Sequence, residues 1–422
     1  MKKSVLSLSA LALLTYSCYA SAFTGAIYGA SPTVVDGFKF NGFLRSFYFY
    51  NAYNDSENQR AFAVGGILNV TTPTLLNYFS GGLSFFTAHN LGIYNQTANS
   101  YDPLLMGDKS SINSLGQAYV QFDYHNKVVV RAGDQMLHNM PWLHSHDPML
   151  LPDSYQAVYA RIQPYKGVRL IGLREFKWQS RTSNQYYPDN YYYPNTYDGD
   201  SLYGGFGKLP TYAPSTAGTL AFGATYNKRD YDANLWYYDF YGFAKMFYAS
   251  GGASDSFGDV KGNLHAQFLR EYGSHSFLGN VDSVTYGAKA GLAYGPVGIG
   301  LAYNQNSPKP GSFLNGGVVS PYNIGALYTN SVIVGLVQLG GGHAYQVAAS
   351  YQTPWNVSTN LSYADYHTVV GHSTELDWIL NLDLSKVLKN FSITNLLSFD
   401  TGAAAPGGRD AYFEQFDVQY LF

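Results

Sequence analysis

GQAYVQFDYHNKVVVRAGDQ, residues 116–135, decides how the rest of the chain is read. Ala118, Val120, Phe122 and Tyr124 alternate with Gln117, Tyr119, Gln121 and Asp123, the period of a two-faced strand. His125-Asn126 makes a tight connection. Val128, Val130 and Ala132 then resume an apolar face against Lys127, Arg131 and Gln135. Two strands of this kind, joined by a tight turn, need an apolar medium on one side only. A second sheet would supply it in a sandwich, and lipid would supply it in a barrel.

The chain as a whole separates these options. Charged residues make up 13% of the 422 residues, against roughly 25% in ordinary soluble domains. Aromatics make up 17%, with 40 Tyr and 44 Gly. Tyrosine carries an apolar body and a polar tip, which suits a membrane–water boundary. After the N-terminus no run of about 20 predominantly apolar residues appears. Lipid leaves no partner for open backbone groups, so the spanning solution left is a closed β-barrel.

The first residues read as an export signal. A basic MKK precedes the apolar SVLSLSALALLTYSCYA, and Ala20-Ser21-Ala22 has the small-x-small form of a cleavage site, giving a signal peptide over 1–22. A permanent anchor fits worse, because the apolar stretch is short and carries Ser, Thr and Tyr. Lipidation at Cys18 fits worse too, because Leu14-Thr15-Tyr16-Ser17 is a poor leader to it. Cys18 is the single cysteine, so a mature chain over 23–422 would have neither disulfide nor thiolate metal site. Loss of Lys2 and Lys3 would move the net charge from −3 to −5, which argues against a nucleic-acid partner.

Short and long connections then alternate. Short turns are expected at 125–126, 163–167, 227–230, 294–297, 353–356 and 385–390. Long connections are expected near 91–113, 136–154, 179–216 and 306–341. Short periplasmic turns and long extracellular loops are the habit of outer-membrane barrels. Counting SVIVGLVQ (331–338) as a strand would give nineteen and put the turn at 353–356 on the outer side. Reading 306–341 as one loop restores the alternation and gives an all-β, antiparallel transmembrane barrel of eighteen strands, with sixteen as the nearest alternative. In AYFEQFDVQYLF (411–422), Phe416, Val418, Tyr420 and Phe422 share a face, and this last strand is expected to close against FKFNGFLRSFYFY (38–50).

Several stretches resemble the OprD family of substrate-specific outer-membrane porins. They are NGFLRSFYFYN and AFAVGGILNVTTPTLLNYFSGGLSFFTAHNLG near the start, and RAGDQMLHNMPWLHSHDPMLLPDSYQAVYARI, with Pro141, Asp147, Leu-Leu-Pro at 150–152 and Tyr155. TELDWILNLDLSKVLKNFSITNLLSFD and FEQFDVQYLF are similar to the family's last strands. Residues 180–340 carry only the strand rhythm. The resemblance implies an eighteen-stranded barrel with loops folded inward. It also implies passage of amino acids, small carboxylates or chitin-derived sugars, and a pore with basic residues on one wall. Tyr420 and Phe422 resemble the C-terminal signal read by the barrel-assembly machinery. Outer-membrane lipid and small hydrophilic solutes are the other expected partners, with the protein a monomer or a loose trimer.

The chain departs from that family in having few basic residues. Arg45, Lys127, Arg131, Arg161 and Arg169 lie in expected strands, where they could face the lumen and guide solutes, with Asp123 a further pore-lining candidate; equally, they could pair with Asp123 or Asp134 and stiffen the wall. Tyr-rich stretches such as WYYDFYGF (236–243) make stacking on neutral rings a competitor to carboxylate recognition. The 136–154 connection is the expected inward-folding loop and offers His138, Trp142, His144, His146, Asp147 and Asp153 to a constriction. His-Ser-His-Asp at 144–147 could hold a metal or sense pH, and ordinary loop polarity explains it as well. Tyr48, Tyr50, Trp178, Trp378 and Tyr420 read as an interfacial girdle. No G-x-S-x-G, H-E-x-x-H or phosphate-binding glycine loop is present. The chain therefore reads as a passive porin without cofactor or metal, the alternative being a barrel-anchored enzyme or adhesin using the Tyr-rich loops.

Overall fold

The computed structural model describes residues 32–53, 58–93, 102, 105–106, 111–145, 149–188, 216–322, 324–402 and 410–422. The expected signal peptide lies outside these residues. Eighteen antiparallel strands form a closed ring. In chain order they are β1 Phe38–Tyr53, β2 Gln59–Thr71, β3 Phe79–His89, β4 Ser111–Tyr124, β5 Val128–Gln135 and β6 Ser154–Tyr165. β7 Val168–Gln179, β8 Thr219–Lys228, β9 Tyr231–Phe240, β10 Ala244–Phe257, β11 Val260–Ser276 and β12 Gly279–Tyr294 follow. The last are β13 Val297–Asn306, β14 Gly342–Gln352, β15 Val357–Thr368, β16 Gly371–Asp383, β17 Phe391–Gly402 and β18 Ala411–Leu421. No helix among the described residues is long and apolar enough to cross a membrane.

Each strand pairs with its neighbours in sequence, and β18 pairs with β1 in the register Tyr420↔Leu44 to Ala411↔Tyr53. Phe422 completes the seam: its N–H donates to Gly42 O at 3.0 Å and its carbonyl accepts from Gly42 N at 2.9 Å. Closure leaves neither terminal strand with a free edge, which is what lipid demands.

The two faces separate as expected in the 116–135 hairpin. Val120 and Tyr124 lie exposed on the outer wall, while Gln117 is buried inside. The connections also alternate. β4–β5, β6–β7, β8–β9, β12–β13 and β14–β15 are joined by tight turns at one end of the barrel. The connections at 136–153, 180–218 and 307–341 lie at the other end, which is therefore the outer side. Residues 331–338 are loop, as the alternation required, apart from one short helical turn at Leu336–Leu339. The outer end also carries close connections between β9 and β10, β11 and β12, and β15 and β16.

Bulges decide two local facings. Opposite Ser84-Phe85, Gly116 is an extra residue in β4, and its carbonyl accepts from the Tyr186 hydroxyl at 2.7 Å. Opposite Gln156-Ala157, Phe176 is the extra residue in β7. It shifts the alternation by one, so Lys177 faces out and Trp178 turns inward. Trp178 is buried against Tyr322, with ring centroids 5.6 Å apart. The girdle reading of Trp178 is therefore corrected. Tyr48, Tyr50, Trp378 and Tyr420 do lie on outward positions.

Candidate functional site: a lumen crossed by two loops

Loop 136–153 first closes on itself. Ser145 N donates to Leu137 O at 2.8 Å, Leu137 N donates to the Ser145 hydroxyl at 3.0 Å, and His144 Nδ1 donates to Met140 O at 2.8 Å. The lobe then reaches across the barrel. Trp142 is fully buried; its backbone N–H donates to the Tyr238 hydroxyl of β9, and its ring meets Tyr248 of β10 edge-on. The return limb touches the opposite wall, where Arg45 of β1 donates to Met149 O at 2.8 Å. β1 and β10 are half a circumference apart in the ring, so this loop spans the lumen.

Loop 307–341 crosses in another direction. Tyr322 donates to Glu175 Oε2 of β7 at 2.6 Å, and Val319 N donates to Glu271 Oε2 of β11 at 2.7 Å. At its far limb Ile333 N and Val334 N donate to the two oxygens of Glu375 in β16, at 2.7 and 2.8 Å. The Tyr366 hydroxyl of β15 lies 2.7 Å from Thr329 O and 3.0 Å from Val334 O, and its single proton serves one of them. β7 and β16 are again half a turn apart. Each of these inward carboxylates is buried, and loop N–H groups or a hydroxyl replace the water it has lost.

The two loops share a hydrophobic core. Leu137, Met140, Trp142 and Leu143 pack in one cluster with Val318, Val319, Tyr322 and Ile324. β9 presents the ladder Trp236, Tyr238, Phe240 to that core, stacked at 5.6 and 5.3 Å. The indole lies flat over its cross-strand partner Gly223, where a Cβ would sit 2.5 Å from the ring. The inward rings Trp236, Tyr238, Phe240 and Phe243 are thus buried in one cluster with the two loops.

The expected basic residues divide into three kinds. Arg45 points inward but is 1% exposed, anchored to Met149, to Gln419 and over the Phe43 ring; it holds the loop. Lys127 lies in the β4–β5 turn and not in a strand, exposed, and Asp123 caps that turn by accepting from Asn126 N at 2.7 Å. Arg131, Arg161 and Arg169 face the lumen on β5, β6 and β7 around Tyr159, within electrostatic reach of it. Arg131 donates to Gln121 Oε1 at 2.7 and 3.0 Å and lies over the Tyr119 ring; Arg161 donates to Asn126. Neutral amides fix these two guanidinium groups, and among the described residues no carboxylate is hydrogen-bonded to either. Asp134 sits on the outward face, bonded to Gln156, and does not pair with them.

Of the constriction-loop candidates, Trp142 and His144 are placed above, and Asp153 is buried and accepts from Arg181 N at 3.0 Å, tying the loop to the 180s segment. His146 and Asp147 lie outside the described residues. Burial, then the nearby Arg131 charge and His144, push His138 down to about 4, and burial pushes His144 down as well. Both rings are therefore neutral near pH 7. The inward carboxylates Glu175, Glu271, Glu375 and Asp377 were missed from sequence. Their signal was present: in TELDWIL, Glu375 and Asp377 alternate with Leu376 and Trp378 on the lipid face.

The fold is a closed eighteen-stranded antiparallel barrel whose lumen is crossed by inward loops. The chain is similar throughout to solved structures of OprD-type porins. OccAB3 of Acinetobacter baumannii superimposes with a TM-score of 0.76 at 16% identity, covering 92% of this chain and all of that one. OpdK of Pseudomonas aeruginosa, solved with vanillate, gives 0.73 at 15% over 92% and 100%. A BenF-like porin from Pseudomonas fluorescens Pf-5 gives 0.74 at 15%, also over 92% and 100%. At these identities the likeness is one of fold. No protein-family model matches the chain, and no curated protein matches it significantly.

Proposed function

We propose that this barrel is an outer-membrane porin through which small hydrophilic solutes diffuse passively, with a preference for small anions such as carboxylates. The observation that carries the preference is the arginine wall: Arg131, Arg161 and Arg169 on three adjacent strands, facing the lumen around Tyr159. Guanidinium groups with free N–H edges suit carboxylates. Arg131 and Arg161, held by neutral amides, attract an anion without trapping it, and passage requires weak, multiple contacts. The vanillate in the OpdK structure is a small aromatic carboxylate, in keeping with this reading. Conduction needs no nucleophile, so the protein is read as a channel and not an enzyme. Tyr420 and Phe422, outward at the seam, serve as the assembly signal.

Planar-bilayer current tests the proposal. Under a salt gradient the reversal potential should indicate anion preference. A benzoate-type carboxylate should block the current partially, and more strongly than neutral amino acids or chitin oligosaccharides. The triple variant R131Q/R161Q/R169Q should conduct with the preference abolished. A selectivity unmoved by that variant rules out the arginine wall. A folded barrel without steady current rules out the channel and leaves an anchoring role.

A further inference from the structure

Three histidines stand in register across three adjacent strands at the outer rim. His343 of β14 is the cross-strand partner of His367 in β15, and His367 is the partner of His372 in β16. They occupy the outward face: Ala364 and Tyr366, on the alternate positions, are buried inside, while Leu361 and Tyr363 on the same face are exposed. Asp365, two residues from His367, shares that face. Its Oδ1 lies 3.2 Å from His367 Nε2 and 2.7 Å from His372 Nε2. The His367 and His372 rings are 4.5 Å apart, and His343 stacks on His367 at 5.2 Å.

We propose that Asp365, His367 and His372 form a binding site for a divalent transition-metal ion on the outer rim of the barrel, with His343 packing the His367 ring into place. The three donor atoms lie within 4.8 Å of one another. A tetrahedral Zn²⁺ at ordinary N and O bond lengths spreads its ligand atoms by roughly 3.3 Å. The Asp365 contacts of 3.2 and 2.7 Å to His367 and His372 would open by about 0.1 and 0.6 Å to meet that spread, a shift that rotation of exposed side chains can supply. Two imidazoles and one carboxylate on a rigid sheet are a donor set suited to Zn²⁺, Ni²⁺ or Cu²⁺ more than to Mg²⁺ or Ca²⁺. The side chains are 47%, 57% and 33% exposed for His367, His372 and Asp365, so an ion can enter from solution and keep a fourth position for water or an anion. The competing role is a plain hydrogen-bonded cluster, in which the histidines only satisfy Asp365. The site is on the outer wall, and the inference is independent of what the lumen conducts.

The test is calorimetric titration of Zn²⁺ into detergent-folded, chelator-stripped protein without a histidine tag, with Co²⁺ absorption as a second readout. Wild type should bind one equivalent and give the intense visible bands of low-coordinate Co²⁺. H367A/H372A should lose at least tenfold in affinity and lose those bands, while keeping the gel mobility of a folded barrel. D365N retains a hydrogen-bonding oxygen but not the charge; it should weaken Zn²⁺ binding as well. Absence of stoichiometric binding by wild type, or binding unchanged in the histidine variants, overturns the site. If the double variant does not fold, H372A alone, beside the β15–β16 turn, decides between the same outcomes.

Discussion

At the scale of single residues, several side chains that look like pore chemistry in the sequence are loop anchors. Arg45 is the clearest case. A buried guanidinium is tolerated because Met149 O, Gln419 and the Phe43 ring receive it. R45A leaves a buried carbonyl unpaired, which should weaken docking of the return limb by ~1–3 kcal/mol. Single-channel current should become visibly noisier, and a trace as quiet as wild type would show that Arg45 does not hold the loop. The histidines of the same loop set its response to acid. His138 titrates at about 4 when docked, against 6.5 when free. The docked loop thus favours the neutral ring, and its stability is complete above about pH 6.5 and falls as the pH drops toward 4. Current fluctuations should rise across that window and be reduced in H138Q. A flat pH response would remove His138 from the account.

At the scale of elements, two loops divide one task. Each is fastened at points half a circumference apart, and they meet in a common apolar core. Fastening differs: loop 136–153 uses Trp142 and Arg45, whereas loop 307–341 hangs from buried wall carboxylates. Removal of 138–150 deletes the Trp142 limb and the lobe closure, and conductance should increase. The shared core makes the gain smaller than an empty barrel would give, because loop 307–341 still has its own attachments to Glu175 and Glu375. Unchanged conductance would place the constriction elsewhere. The bulges at Gly116 and Phe176 serve the same end, since one frees a carbonyl for Tyr186 and the other turns Trp178 onto Tyr322.

At the scale of the molecule, closure rests on a short seam. The final residue contributes both of its backbone hydrogen bonds to Gly42, and the Phe422 ring extends the outward row Phe416, Val418, Tyr420. Deleting Phe422 opens the last pair of a ladder that lipid cannot satisfy. The yield of folded barrel should fall, seen as loss of the heat-modifiable band on a gel. An undiminished yield would mean that the preceding residues hold the seam without Phe422.

Alternation along each strand, with lipid outside and protein or water inside, was written in the sequence, because facing depends only on every second side chain. The hairpin at 116–135, the turn at 353–356 and the non-strand 331–338 followed from it, and so did the closing pair of strands. The candidate site was legible in part. Arg131, Arg161 and Arg169 could be placed on the inward face, but nothing local could tell that Arg45, on the same face, lies beneath Met149. Where a loop lands depends on partners 100 or more positions away, such as Arg45 with Met149 and Glu175 with Tyr322. Only the closed ring brings those walls within reach. Strand pattern is a local property of the chain, whereas loop docking, bulge-shifted facing and the histidine row across β14, β15 and β16 exist only after the register between strands is set.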